Sequence, residues 1–528
     1  MNTRTKDQQD PHLSASIHNR IHISRRRIVK SVLSNWSGLL VNVIVAFWMT
    51  PFVVHHLGDS AYGIWALVLQ LTGYLGVVDV GLRSAIVRFV SRYHAQRDEV
   101  GLNRLLNSIF TLYALFAPIC TVVGLLLAFV ALPRMHIPPE MLIHAQITTI
   151  IAATILSCDF IFAVFHAGLA GLSRWDLTNG VSIFVLLVRT ALIVFLLDRG
   201  FGLVTLAIVQ FSTTVLAYLI ELVLLRRLIP SYQFQWQKID RAYFQPIVEH
   251  SWYSFLLSLA NRLNYQVDTI VIAAFLPIQE VTFYVIGMRL VEYLRDLLNA
   301  TTVIIAPLAS SLEAVGETEQ VGRMLIRATK YSLIVGFLGV AAMLGLGTSF
   351  IHIWMGPRFA DRSGMVLVIL AVGQLVSCTQ FAGGHILFGL SKHRMNLSWT
   401  FIEAALNLGF TLALVHRYGI LGVAAGTTIA NTLVRGWFFP RAFLKLLGVR
   451  WYEYIWRGIA PAIFPAASFL LGIILFRAFY PIDTYLHLSF ALLSGIGLSL
   501  PALWFFGLDQ ADRKLVLESI SKRSLRRS

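Results

Sequence analysis

The stretch YVIGMRLVEYLRDLLNATTVII, residues 284–305, sets Arg289, Glu292, Arg295 and Asp296 within eight positions of an otherwise apolar run. At about 100° per residue, these four and Asn299 share one helical arc of about 120°, while Leu290, Leu294, Leu297 and Leu298 take the other side. The apolar segment before it is built alike. Ser254, Ser258, Asn261, Arg262, Tyr265, Asp268 and Thr269 also fall in one arc of about 120°. A charge at the centre of a bilayer costs about 2.5–3.5 kcal/mol, so both stripes must face partner helices or a water-filled cavity.

Two readings of the stripes stay open. In the first the charges pair among themselves: Glu292 is three residues from both Arg289 and Arg295, and Arg262 is within reach of Asp268 or Asp296. Buried pairs of this kind can be kept for specificity alone. In the second they line a cavity that takes an anion. Guanidinium is always charged and matches phosphate oxygens in bidentate fashion. A diphosphate-linked lipid would set its anionic group against Arg262, Arg289 and Arg295, beside Asn261 and Tyr265. Its sugars would occupy the aqueous space and its tail would stay outside. Asp268, Glu292 and Asp296 would then balance the charge, and one could carry a coupling proton. The readings overlap, because an arginine held by a carboxylate can exchange partners when an anion arrives.

Other intramembrane charges read as structural pairs or snorkelling groups: Asp159, Arg189, Glu403, Arg435 and Glu221. His166 and His385 read as structural. Asp79 and Arg83, at the inner end of the second apolar run, suggest a gate or loop lock, with Arg88 one helical step further. No catalytic triad, phosphate-binding loop or metal motif is present, so the expectation is a non-enzyme without cofactor, beyond a coupling H+ or Na+. Cys120, Cys158 and Cys378 sit in apolar stretches with neither disulfide nor zinc spacing.

The elements that carry these residues are membrane helices. Of 528 residues 57% are hydrophobic and 13% charged, with a mean hydropathy of +0.70, which excludes an ordinary soluble protein. At 1.5 Å per residue, about 20 apolar residues cross a bilayer core. On that rule fourteen spans are expected, near 33–54, 62–82, 108–132, 145–168, 179–198, 202–224, 251–276, 281–308, 328–348, 364–387, 396–416, 420–440, 459–479 and 486–506. The net charge of +16 is spread in tails and alternate loops, the pattern of membrane topology rather than nucleic-acid binding. It places both termini in the cytoplasm. The first 30 residues are polar and basic and lead straight into a long span, unlike a cleaved secretory signal. All outside loops are short, which argues against a polymerase or glycosyltransferase.

The chain also repeats itself. Polar spotting around Trp36 returns around Trp252, GLSRWD from Gly171 returns as GLSKHR from Gly389, and Arg199 in DRGFGLV matches Arg417 in HRYGILGV. These nearly equal offsets predict two six-helix bundles in a parallel repeat. The expected division is a basic N-tail 1–30, a first bundle 31–228, a linker 229–249, a second bundle 250–441, a linker with two further helices 442–506, and a basic C-tail 507–528. The repeat aligns Arg262 with Ala46 and Asp268 with Phe52. The charges thus belong to one half, as expected if they handle substrate rather than hold a shared fold.

Gly58-Asp59-Ser60-Ala61-Tyr62-Gly63, Gly73-Tyr74-Leu75-Gly76, Asp79, Gly81-Leu82 and Arg88, with Gly171-Leu172-Ser173-Arg174-Trp175-Asp176, resemble the signatures of polysaccharide-transport proteins. These are the O-antigen and teichoic-acid flippases of the multidrug/oligosaccharidyl-lipid/polysaccharide exporter superfamily. The resemblance implies two lobes around a V-shaped cationic cavity and alternating access. It also implies flipping of undecaprenyl-diphosphate-linked oligosaccharide across the bacterial inner membrane, with the polysaccharide polymerase machinery as a further partner. Alternatives are a cation-coupled exporter of amphipathic drugs, whose family typically carries twelve spans and an acidic ion site, and a non-transporting scaffold of a polysaccharide assembly complex.

Overall fold

The computed structural model describes residues 25–233, 252, 255–510, 512–514 and 517–518. Most of the N-tail, most of the 229–249 linker, Ser254 and the end of the C-tail lie outside them. Among the described residues there is no strand. The order is α1 (Arg25–Leu75), α2 (Val77–Gln96), α3 (Glu99–Leu126), α4 (Pro139–Gly171), α5 (Trp175–Leu197), α6 (Leu203–Leu228), α7 (Val267–Phe275) and α8 (Gln279–Thr302). Then follow α9 (Ile305–Ala314), α10 (Thr318–Met355), α11 (Pro357–Cys378), α12 (Phe381–Gly389), α13 (His393–Leu433), α14 (Phe439–Leu446), α15 (Ala460–Phe479) and α16 (Tyr485–Ala502). Among the described residues, eleven stretches are long and apolar enough to cross a membrane. This is a multi-pass membrane protein.

Two of the eleven stretches are broken by glycine. In α1 Gly58 has φ 79° and in α13 Gly419 has φ 57°, values an L side chain adopts only with strain. Each long helix therefore consists of two arms. The run expected at 281–308 is likewise interrupted, because α8 ends at Thr302 and α9 begins at Ile305.

The chain forms two compact units. The first comprises Met1–His56, Leu82–Val123 and Ile151–Glu249; the second comprises Leu57–Gly81, Gly124–Ile150 and His250–Ser528. Lipid offers no hydrophobic drive for helix association, so close backbone approach and internal hydrogen bonds must supply it. In the second unit α15 and α16 meet where Gly472 faces Gly495: a Cβ on Gly472 would stand 2.9 Å from the Gly495 Cα. Leu298, Leu333, Phe337, Ala371, Phe469 and Ile473 fill the core among α8, α10, α11 and α15.

The arm of α1 that follows Gly58 is tied into the same unit. Thr282 Oγ1 donates to the Asp59 carbonyl at 2.6 Å, and the Asp59 carboxylate meets Arg358 Nη2 at 2.5 Å. Gly63 lies so close to Ile278 that a Cβ would be 2.4 Å from the Ile278 carbonyl oxygen. The motif glycine thus has a packing reason.

Candidate functional site

The helical stretch 255–265, followed by α7, and α8 present their polar stripes to one cavity of the second unit, about 860 Å³ in volume. Asn261, Arg262, Tyr265, Arg295, Asp296 and Asn299 line it, with Ser258 and Gln266 beside them. Glu292 and Asp268 line a much smaller adjoining pocket, to which Tyr265 and Arg295 also contribute. The amphipathic arcs read from sequence therefore meet.

The contacts are specific. Arg262 Nη1 donates to Gln266 Oε1 at 2.8 Å, a neutral amide rather than a carboxylate. The Arg295 guanidinium lies over the Tyr265 ring, 4.0 Å from its centroid. Its Nη2 is 3.7 Å from Glu292 Oε1, beyond hydrogen-bond length. Glu292 instead accepts from Arg289 Nη1 at 2.8 Å. Arg289 is half-exposed, pairs with Glu292 and does not line the cavity. Arg262 and Arg295 therefore keep donor capacity toward an incoming anion, while Arg289 is engaged one helical turn away.

Asp268 is only 1% exposed and is held by oxygen and amide donors. Tyr284 Oη donates to it at 2.5 Å and Thr427 Oγ1 at 2.7 Å, with Asn407 Nδ2 at 3.4 Å. Asn407 Oδ1 in turn accepts from Thr411 at 3.1 Å and lies 3.0 Å from Thr427 Oγ1. The buried carboxylate is thus enclosed by hydroxyl and amide groups that donate to it. No cluster of three His, Cys, Asp or Glu with metal-binding geometry occurs among the described residues.

Sequence reasoning missed several lining residues. Gln380, His385, Asn396 and Arg435 all face the cavity. Arg435 Nε donates to Glu403 Oε2 at 2.5 Å and Nη2 to Thr400 Oγ1 at 3.0 Å, so its reading as half of a pair is matched by this geometry. His385 Nε2 lies 3.0 Å from Asn299 Oδ1. Arg435 and His385 stood out in the sequence only as structural groups; no short motif joins Gln380 or Asn396 to residues 261–299.

Of the proposed gate residues, neither Arg83 nor Arg88 lines this cavity. The Asp79 side chain lies outside the described residues, Arg88 is exposed, and Arg83 lines a separate cavity of about 300 Å³ in the first unit. Asp159, His166, Arg189, Tyr218 and Glu221 share that cavity. His166 Nδ1 meets Glu221 Oε1 at 2.8 Å, Tyr218 Oη donates to Asp159 Oδ1 at 2.5 Å, and Arg189 Nε to Thr213 Oγ1 at 2.9 Å.

Residues 28–313, more than half of the chain, match the family described as Polysaccharide biosynthesis protein. The chain belongs to that family. Relatives of this family member include the "Uncharacterized membrane protein EpsK" of Bacillus subtilis, 23% identical over 81% of this chain and 85% of its own length. The "Probable flippase AglR" of Haloferax volcanii is 21% identical, over 77% of this chain and 82% of its own. Among solved structures, the lipid II flippase MurJ in an inward closed conformation matches with a TM-score of 0.71 at 13% identity, covering 92% of this chain and all of that one. An inward-facing multidrug resistance MATE transporter of the MOP superfamily matches at 0.62 and 15% identity, over 78% of this chain and 95% of that one. At such identities the likeness shows the fold, which this chain shares with those two structures.

Proposed function

We propose that this protein is a flippase that carries a lipid-diphosphate-linked oligosaccharide, with an undecaprenyl-type lipid, across the bacterial inner membrane by alternating access, and is not an enzyme. The observation that carries this reading is the wide second-unit cavity in which Arg262 and Arg295 face open space beside amide side chains. The guanidinia suit the diphosphate; Asn261, Asn299, Gln380 and Asn396 suit sugar hydroxyls. Arg289, paired with Glu292, neutralises that carboxylate beside the anion site. An apolar groove of about 960 Å³, lined by Phe337, Leu344, Trp437, Tyr454 and Leu470, offers room for part of the lipid chain.

The topology proposed with it has fourteen crossings and both termini in the cytoplasm. Counting both arms of α1 and of α13, and the broken stretch 255–275 as one further crossing, brings the eleven apolar stretches to that number. The bundles 31–228 and 250–441, with 442–506 appended, remain the proposed halves. The Asp268 oxygen ring is the proposed site of the coupling H+ or Na+, and polysaccharide polymerase machinery is the proposed downstream partner. The likeness to drug exporters favours cation coupling too, but guanidinia in the cavity repel cationic drugs.

The test is reconstitution. Purified protein in liposomes should accelerate transbilayer movement of a fluorescent lipid-diphosphate disaccharide under an imposed H+ or Na+ gradient, and Asp268→Asn should remove the gradient dependence. Movement no faster than in protein-free liposomes, with efflux of a cationic dye instead, would replace this reading by the exporter.

A further inference from the structure

The family-like motif Gly73-Tyr74 makes contact with the anion site itself. A Cβ built on Gly73 would stand 2.5 Å from Arg262 Nη1 and 3.6 Å from its Cζ, so the guanidinium lies against bare backbone of the second arm of α1. The next residue reaches the same arginine from its other end: Tyr74 Oη donates to the Arg262 carbonyl at 3.1 Å. That carbonyl also accepts from the Gln266 N–H at 2.8 Å, at the turn where the helical stretch 255–265 ends before α7. Gln266 returns its side-chain oxygen to Arg262 Nη1 at 2.8 Å. Backbone and guanidinium of Arg262 are thus both fixed, by groups that are neutral and leave its charge uncompensated.

We propose that Gly73 and Tyr74 are positioning residues for anion recognition: the glycine makes room for the Arg262 guanidinium and the tyrosine hydroxyl anchors its backbone, so that the charge points into the cavity. The inference rests on the reading of Arg262 as a phosphate-binding group. It gives the GY pair of the 73–76 motif a task distinct from helix packing. Any larger residue at 73 displaces a charge without removing it. Because the clashing atom is the far end of a flexible side chain, the guanidinium moves aside and the fold survives. The anion site also becomes dependent on where the second arm of α1 stands, since that arm carries the seat.

The experiment is equilibrium binding of inorganic pyrophosphate to the purified full-length protein in detergent, with thermal unfolding in parallel. Arg262→Ala should weaken binding about ten-fold or more, as expected for loss of a charge-assisted contact. Gly73→Ala should weaken it about five- to ten-fold, and Tyr74→Phe about three-fold, with unchanged unfolding midpoints. Gly73→Ala added to Arg262→Ala should have no further effect, whereas a merely structural glycine would weaken both backgrounds alike. Wild-type affinity in Gly73→Ala and Tyr74→Phe, beside a weakened Arg262→Ala, would overturn the seat and leave the arginine reading standing. Wild-type affinity in Arg262→Ala, or no pyrophosphate binding by the wild type, would overturn both. Should Gly73→Ala lower the unfolding midpoint, Tyr74→Phe alone decides, since it removes one hydroxyl and no volume.

Discussion

The two units each bury a set of charges, and they treat them differently. In the first unit, in about 300 Å³, two guanidinia and two carboxylates share a narrow space, and both carboxylates take short bonds from His166 and Tyr218. In the second, in about 860 Å³, Arg262 bonds an amide and Arg295 stacks on a ring. The first arrangement engages both of its carboxylates within the site, as a buried network must if its members are to be satisfied. The second leaves cationic donors facing open volume, which suits a ligand that brings its own negative charge.

That contrast can be broken in order of effect. Arg262→Ala with Arg295→Ala should remove two charge-assisted contacts, about 1.5–3 kcal/mol each, and slow lipid transport at least about a hundred-fold with normal membrane insertion. Retained transport in the double variant would mean that the second-unit cavity is not where the anion binds. Within the same unit, Glu403→Ala leaves the Arg435 guanidinium without its carboxylate. It should destabilise the protein by about 3–5 kcal/mol, read as a lower thermal midpoint. An unchanged midpoint would show that water already satisfies Arg435.

In the first unit, Glu221→Gln should cost about 1–3 kcal/mol of stability by weakening the bond to His166, while pyrophosphate affinity stays at the wild-type value. A matching loss of affinity would erase the distinction between the units. The smallest effect is expected on α10, where Lys330 Nζ reaches Asp509 at 2.8 Å and Asp512 at 3.0 Å. Burial pushes the Asp512 carboxyl up. The Tyr331 hydroxyl, the Asp509 N–H and Lys330 outweigh burial and hold it down at about 2. Its stabilising contribution is therefore full above the unfolded carboxylate range near pH ~3.9 and is lost as pH falls toward 2. Asp512→Asn should lower the midpoint slightly at pH 7 and match the wild type near pH 2. A deficit that persists at the acidic end would point to lost packing instead of lost charge.

Much of the second-unit site was legible in the sequence because helical periodicity is local. Residues 261–268 and 289–299 announce their faces within a few turns, and those faces meet in the cavity. What escaped is long-range. Gly73 and Arg262 are joined only by the fold, and nothing in a glycine-rich motif says which side chain will lie on it. Asn407 and Thr427 look like ordinary polar spots until they close around Asp268. Arg289 shares its arc with Arg295, yet the Glu292 carboxylate draws it out of the lining, because angular position on a helix does not fix where a long side chain ends. The breaks at Gly58 and Gly419 were foreseen as short loops between spans, since no apolar run of that length crosses a bilayer only once.

The most direct test is the leaflet distribution of the proposed substrate. In cells lacking the protein, lipid-diphosphate-linked oligosaccharide accessible from the outer face of spheroplasts should fall while the total pool, measured by mass spectrometry, rises. Wild-type protein should restore the distribution and Arg262→Ala with Arg295→Ala should not. An unchanged distribution in the deletion strain, or full rescue by the double variant, would contradict an arginine-lined flippase.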